Sequence, residues 1–131
     1  MKIPYVDLSY KNKSKKELIK VFKKILDKGQ FVGGDEIDLF EKKIAKLCGT
    51  NYAVALNSGT DALTLALHLL GVRKGDEVIT PPNSFIASTA VIVHLGAKPV
   101  FVDVLSDQNI DPNKIQSAIT KKTKVIMPVH L

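Results

Sequence analysis

The chain has 131 residues, of which 45% are hydrophobic and 24% are charged, so it can bury a core, and disordered or fibrous classes are excluded. Its formal net charge of +6 favours anionic ligands, but no basic patch with stacking aromatics accompanies the lysines, so no nucleic-acid partner is expected. No apolar stretch reaches the roughly 20 residues of a membrane span, and no secretion signal is found, so we expect a cytoplasmic protein without a membrane partner. Cys48 is the single cysteine, so no internal disulfide is expected.

Two helices are predicted near the start of the chain. A capping-box pattern begins at Ser14, and the apolar residues after it recur at helical spacing, which predicts a helix that ends near Lys28. Asp35 is expected to cap a second helix, with Gly49 as its C-terminal stop. Residues 1–50 are therefore predicted to form an N-terminal helical segment.

From residue 51 onwards, short apolar strands alternate with helices. Strands are predicted at residues 52–56, 77–80, 99–102 and 124–129, and helices at residues 60–70, at 84–95 and from Asp111-Pro112 onwards. This alternation favours an α/β fold with three layers, in which a mainly parallel sheet is covered by helices on both faces. Residues 51–131 are expected to be an incomplete α/β domain, because no helix follows to cover the last strand.

The junction between the first predicted strand and its helix, Asn57 to Leu63, is a candidate anion site. Such a junction directs unpaired helix amides and the positive end of the helix dipole towards one point. Gly59 allows a phosphate to approach the backbone, and the Thr60 hydroxyl adds a donor beside the amides of Thr60 and Asp61. The alternative is that Ser58 or Thr60 only caps the helix. No Walker or dinucleotide-binding motif is present.

Other chemically capable side chains are isolated. Phe85 either packs in the core at the start of a helix or presents its ring to a flat ligand, and the sequence leaves both readings open. His130 follows the last predicted strand, near the sheet edge where ligands bind in open α/β folds, although a structural role is favoured. His68, His94 and Cys48 are expected to be structural. No metal site is predicted.

Several further motifs occur in a consistent order along the chain. They are Gly33-Gly34 followed by Phe40-Glu41, residues 71–79 (GVRKGDEVI), 81–88 (PPNSFIAS), 96–103 (GAKPVFVD), 109–112 (NIDP) and 128–131 (PVHL). Together with the Asn57 to Leu63 junction, they make residues 29–131 resemble the sugar aminotransferases of the DegT/DnrJ/EryC1/StrS family, a branch of the fold type I enzymes that depend on pyridoxal 5'-phosphate (PLP).

The resemblance implies a fold and a cofactor site. The chain corresponds to the N-terminal part of the large domain of a fold type I PLP-dependent transferase. In that family the serine-glycine-threonine turn holds the cofactor phosphate, which assigns this role to Gly59, to Thr60 and to the backbone of Asp61. Phe85 matches the aromatic residue that stacks on the pyridine ring.

The resemblance also implies an activity and partners. Family members transfer an amino group from an amino acid such as glutamate to a nucleotide-linked keto sugar, and they form homodimers whose active sites are shared. The loop from Gly29 to Gly34 is a candidate for the shared region, with a plain helix connection as the alternative.

The family's Schiff-base lysine and pyridinium aspartate come after the stretch matched by Pro128 to Leu131. No catalytic residue is therefore assigned, and this chain alone is predicted to be inactive, although its parent is expected to be an aminotransferase. Two alternatives remain open: a PLP-dependent sugar dehydratase of the same family, and a non-catalytic α/β module that binds a phosphate.

Overall fold

The computed structural model describes residues 12–131, which form two compact units. The first unit ends at Ala55 and the second runs from Leu56 to Leu131. The predicted domain boundary after residue 50 stays a prediction, because a division into compact units does not show that either unit is an independent domain.

The first unit contains helices α1 (Asn12–Lys28) and α2 (Asp35–Cys48). Both predicted N-terminal caps, Ser14 and Asp35, were wrong, because each residue lies inside its helix. Asn12 and the residue after it already adopt helical backbone, so Ser14 lies within the first turn of α1. Gly34, with a φ of 113°, takes the N-cap position of α2 and leaves Asp35 as its first helical residue. Gly49 ends α2 in the left-handed conformation, as predicted.

Two exposed ion pairs join the end of α1 to the start of α2. Lys24 Nζ lies 2.7 Å from Glu36 Oε1, and Lys28 Nζ lies 2.8 Å from Asp35 Oδ2. The hydrogen bond from Lys28 holds the pKa of Asp35 below its ordinary value. Because both pairs are open to water and are screened by salt, they add little to the stability of the folded chain.

The predicted strand at residues 52–56 is absent, which corrects the expectation of four strands. The Ala55 N–H donates to Glu41 Oε1 at 2.7 Å, but no strand of the described residues pairs with this segment. Tyr52 and Val54 are accordingly 86% and 76% exposed. An apolar sequence suits a strand, but only a ladder of hydrogen bonds to a neighbour makes one.

The second unit alternates helices and strands. Its elements are α3 (Gly59–Leu69), β1 (Glu77–Thr80), α4 (Ala87–His94), β2 (Lys98–Phe101), α5 (Pro112–Ala118) and β3 (Thr123–Ile126). The strands are parallel in the order β2-β1-β3, so that Val78 of β1 faces Pro99 on one side and Val125 on the other. Asp111 caps α5 by accepting the Asn113 N–H at 2.9 Å. The parallel sheet and its intervening helices confirm the predicted α/β class.

Helices cover both faces of this sheet. Successive residues of β1 point to opposite faces, so β1 contributes side chains to the packing on each side. Val78 belongs to a buried cluster with Leu67 of α3 and Ile92 of α4. Its neighbour Ile79 belongs to a second cluster, against which Ile115 of α5 packs. The three predicted layers are therefore present. Within residues 12–131, none of the helices has the length and apolar character needed to cross a membrane.

Thr80, at the end of β1, has no exposed surface, and its Oγ1 has no hydrogen-bond partner among the described residues. A buried hydroxyl without a partner destabilises the folded state. We expect Thr80→Val, which has nearly the same shape, to raise the free energy of unfolding of the chain by about 1 kcal/mol in urea denaturation.

A second threonine provides the matched comparison. The Thr120 hydroxyl donates to Oε2 of Glu77 at 2.6 Å, and Glu77 is only 8% exposed. Thr120→Val should lower the free energy of unfolding by about 1–2 kcal/mol, because it deprives a buried carboxylate of a donor. Equal destabilisation by both substitutions would show that the Thr80 hydroxyl is satisfied in the folded chain.

Candidate functional site

The N-terminus of α3 is built by a serine cap. Ser58 has an extended backbone, and its Oγ accepts the Asp61 N–H at 3.1 Å and donates to Asp61 Oδ2 at 2.9 Å. The Ala62 N–H bonds to the Ser58 carbonyl at 3.1 Å. The capping interpretation of this turn is therefore confirmed for Ser58. This cap leaves other donors of the first helical turn unused.

Those donors belong to Gly59 and Thr60, whose N–H groups precede the first intrahelical hydrogen bonds. Within residues 12–131, neither N–H meets an acceptor, nor does the Thr60 hydroxyl. Amides in the first turn point outward along the helix axis, and the helix dipole adds positive potential there. The turn therefore offers two amides and one hydroxyl to an anion.

The space beside Gly59 is open as well. Apart from its chain neighbours and the backbone of its own helix, a Cβ built on Gly59 would meet no atom of residues 12–131 within 4 Å, and this glycine has no positive φ. Its lack of a side chain is therefore required neither by backbone conformation nor by crowding within the chain. An oxyanion that approaches the backbone closely would use this space, so the residues present fit a phosphate group.

Asp61 differs from Gly59 and Thr60, because its N–H is already bonded to Ser58 Oγ. A phosphate would have to share this N–H or displace the serine hydroxyl, so the predicted role of the Asp61 backbone stays a prediction. The Asp61 carboxylate accepts the Ser58 hydroxyl at the edge of the turn. There a negative charge also complements the helix dipole.

Phe85 precedes α4 and is 77% exposed, so its ring does not pack in the core that residues 12–131 form. The reason is the turn that joins β1 to α4, which leaves Phe85 outside the helix. The buried residues of α4 begin only at Ser88 and continue at Val91 and Ile92. An uncovered aromatic ring is available to a flat ligand, and its stacking role stays a prediction.

A pocket of about 250 Å³ lies between α3 and α4, and Thr60 and Asp61 form part of its wall. Its other lining residues are Thr64, Ala90, Val91 and His94. His94 lies in the last turn of α4 as expected, with its side chain exposed. Sequence reasoning missed Thr64, although it follows Thr60 by four residues, a spacing that places both on one helix face.

Three segments beyond the carboxyl ends of the strands are joined by side-chain hydrogen bonds. Val104 and Ile110 pair as an antiparallel bridge, which closes a hairpin between β2 and α5. The Asn83 side chain binds Gln108 in this hairpin, and the Leu131 N–H donates to Asn109 Oδ1 at 3.4 Å. Asn83 belongs to the motif at residues 81–88, but nothing in the sequence pointed to its contact with Gln108.

Asp107 supports the turn of this hairpin. Its Oδ1 accepts the Asn109 N–H at 3.0 Å, and this hydrogen bond holds the pKa of Asp107 below its ordinary value. The carboxylate therefore supports the turn above the ordinary pKa of an aspartate. That support is lost as the pH falls through the lowered pKa of the folded chain.

His130 was predicted at the end of the last strand, but β3 ends at Ile126, and His130 lies in the segment beyond it. Its side chain is exposed, and its role stays a prediction. Among residues 12–131, no group of three or more histidine, cysteine, aspartate or glutamate side chains is placed to hold a metal ion.

The comparison with known proteins agrees with the resemblance that the sequence motifs indicated. The model of the DegT/DnrJ/EryC1/StrS aminotransferase family matches residues 12–131. Over 131 residues the chain is 43% identical to the dTDP-3-amino-3,6-dideoxy-alpha-D-galactopyranose transaminase of Aneurinibacillus thermoaerophilus, covering 98% of this chain and 36% of that protein. It is also 38% identical over 133 residues to the 3-oxo-glucose-6-phosphate:glutamate aminotransferase of Bacillus subtilis, covering 99% of this chain and 30% of that protein.

The fold agrees with a solved relative. The crystal structure of NtdA from Bacillus subtilis with bound cofactor PMP, the amine form of PLP, matches with a TM-score of 0.94 at 37% identity, covering 99% of this chain and 31% of that chain. This chain spans about a third of the length of the curated relatives it matches.

Proposed function

Because this chain belongs to the DegT/DnrJ/EryC1/StrS aminotransferase family, we propose that it is the PLP phosphate-binding part of an enzyme that transfers an amino group to a keto sugar nucleotide. The observation that carries the proposal is the first turn of α3. There the amides of Gly59 and Thr60 lack partners among residues 12–131, beside space that no side chain fills.

The residues of this turn bind the cofactor through its phosphate. The N–H groups of Gly59 and Thr60 and the Thr60 hydroxyl donate to the phosphate oxygens, and the dipole of α3 adds to their attraction. The Asp61 N–H becomes a further donor if the Ser58 hydroxyl turns towards the phosphate. Their part in the reaction is to hold the cofactor in one place and one orientation.

Phe85 covers one face of the cofactor ring in this proposal. Its exposed ring is flat and apolar, and stacking would remove it and the cofactor from water, a contact worth about 0.5–1.5 kcal/mol beyond the buried area. When bound, PLP supplies the electron sink that makes amino transfer possible. No lysine of this chain is assigned to the reaction.

The proposed substrates are a nucleotide-linked keto sugar and an amino-acid donor such as glutamate. The relatives support both classes: one is described as a transaminase of a dTDP-linked sugar, and the other as a glutamate aminotransferase of a sugar phosphate. Sugar nucleotides and sugar phosphates are anionic, which agrees with the net charge of +6.

The proposed assembly is a cytoplasmic homodimer in which the loop between α1 and α2 contributes to the shared region. This loop exposes Phe31 by 71% and Val32 by 90%, and two neighbouring apolar side chains left in water are typical of a surface that becomes covered. In a sizing experiment with light scattering, the enzyme that contains this chain should elute at twice its monomer mass. An active monomer would contradict the shared region.

Assay of the same enzyme tests the activity. With PLP, glutamate and a keto sugar nucleotide, it should release 2-oxoglutarate and an amino sugar in equal amounts. Loss of a sugar hydroxyl without amine transfer would instead identify the dehydratase branch. No turnover together with no affinity for PLP would identify a non-catalytic module.

A further inference from the structure

One side-chain hydrogen-bond contact joins the turn that carries Phe85 to another segment of the second unit. Asn83 Nδ2 donates to the Gln108 carbonyl at 3.0 Å and lies 3.4 Å from Gln108 Oε1. A backbone carbonyl only accepts hydrogen bonds, so the amide nitrogen of Asn83 must face it. This contact joins two segments that are 25 residues apart.

The rest of this turn has no comparable attachment. Ser84 Oγ reaches only the carbonyl of the next residue, Phe85, at 3.4 Å. Pro81 and Ser88 are buried at either end, whereas Pro82, Asn83 and Phe85 between them are exposed. Among residues 12–131, the Asn83–Gln108 contact is the only hydrogen bond from residues 82–86 to another segment.

The acceptor of this contact is held in an uncommon conformation. Gln108 has a φ of 69°, and it is the only residue other than glycine with a positive φ in the described part of the chain. Its N–H donates to the Leu105 carbonyl at 3.0 Å, and the Leu105 N–H donates to the Asn109 carbonyl at 2.9 Å. A residue stays in this region only where its surroundings hold it there, so the hairpin presents the Gln108 carbonyl at a fixed position.

We infer that Asn83 is a positioning residue, which fixes the turn between β1 and α4 against the hairpin at Gln108 and thereby sets the orientation of Phe85. The inference rests on the proposed role of Phe85 against the cofactor ring. A stacking ring that is itself exposed gains nothing from core packing, so its orientation depends on the backbone that carries it.

A single reporter makes this orientation measurable. The chain contains no tryptophan, so Phe85→Trp introduces one fluorophore at the site. Fluorescence anisotropy without cofactor reports the mobility of the side chain at this position. Quenching of its emission during titration with PLP reports affinity. Visible absorbance of PLP with the unmodified Phe85 chain repeats the affinity measurement without the reporter.

Four variants separate the proposed contact from general effects. Asn83→Ala removes the donor, and Asn83→Asp replaces it by an acceptor of the same shape. Gln108→Gly keeps the backbone carbonyl and suits the positive φ. Asn113→Ala is the matched control, because Asn113 is exposed in α5 and its side chain has no hydrogen-bond partner among the described residues.

Both Asn83 variants should lower the anisotropy of the reporter and weaken PLP binding about fivefold, the range expected for loss of one positioning hydrogen bond. The PLP affinities of Gln108→Gly and Asn113→Ala should stay within about twofold of that of the chain that carries only the reporter. Asn83 variants that match Asn113→Ala in both measurements would overturn the inference. If the 131-residue chain without substitutions at Asn83 or Gln108 fails to bind PLP, the proposed function is contradicted. The anisotropy alone then decides whether Asn83 fixes the turn.

Discussion

Gly59→Val is expected to weaken the affinity of the chain for PLP by at least about tenfold, which corresponds to a loss of about 1.4 kcal/mol. The valine side chain would fill the space beside the first turn of α3, where the amides of Gly59 and Thr60 have no acceptor within residues 12–131. A phosphate kept away from these amides loses both the hydrogen bonds and the strongest part of the helix dipole. Equilibrium dialysis with PLP measures the change directly.

The fold should tolerate this substitution, because Gly59 has no positive φ and an added Cβ would meet no atom of residues 12–131 within 4 Å, apart from its chain neighbours and the backbone of its own helix. Ala66→Val is the matched control. It places the same β-branched side chain at an exposed position of the same helix, away from the N-terminus. Unchanged PLP affinity in Gly59→Val, or equal losses in both variants, would remove the phosphate from the N-terminus of α3.

Elements with strong local signals were predicted almost to the residue. The strand at residues 77–80 was predicted with its observed limits, because a turn at Gly75-Asp76 precedes it and Pro81 follows it. The helix predicted at residues 60–70 is α3, displaced by one residue at each end. In each case the information that decides the structure lies within the segment and the residues next to it.

Features that depend on distant residues were not predictable in this way. Residues 52–56 have the apolar sequence of a strand. A strand also needs a hydrogen-bonded neighbour, which the sequence of the segment itself does not indicate. The sequence left two readings of Phe85 open, and only the folded turn before α4 decides against core packing. Gln108 carries no local signal for a positive φ, and its contact with Asn83 spans 25 residues.

The candidate site shows the same division. Ser58, Gly59 and Thr60 adjoin one another in sequence, so the physics of a helix N-terminus was sufficient to predict an anion site there. The sequence left open whether the Ser58 hydroxyl takes the Asp61 N–H, because a serine at this position can cap the helix or leave the amide to a ligand.

The second large effect is expected in the 131-residue chain itself: it should bind PLP weakly and reversibly, and it should catalyse no amino transfer. The residues proposed here supply a phosphate cradle and one stacking ring. The resemblance places the lysine that captures the cofactor, and the aspartate that pairs with the pyridine nitrogen, after the stretch matched by Pro128 to Leu131. Without that lysine the chain has no group assigned to move the proton between substrate and cofactor.

Mixing the purified chain with PLP, recording the visible spectrum and then adding glutamate tests this expectation. Dialysis should remove the cofactor, and glutamate should produce no 2-oxoglutarate, whereas the longer enzyme under the same conditions serves as the positive control. A stable visible band that survives dialysis and disappears with glutamate would contradict the prediction. It would show that a lysine among residues 1–131, such as Lys98, Lys121 or Lys124, performs the reaction, and the placement of the catalytic lysine after Leu131 would then be wrong.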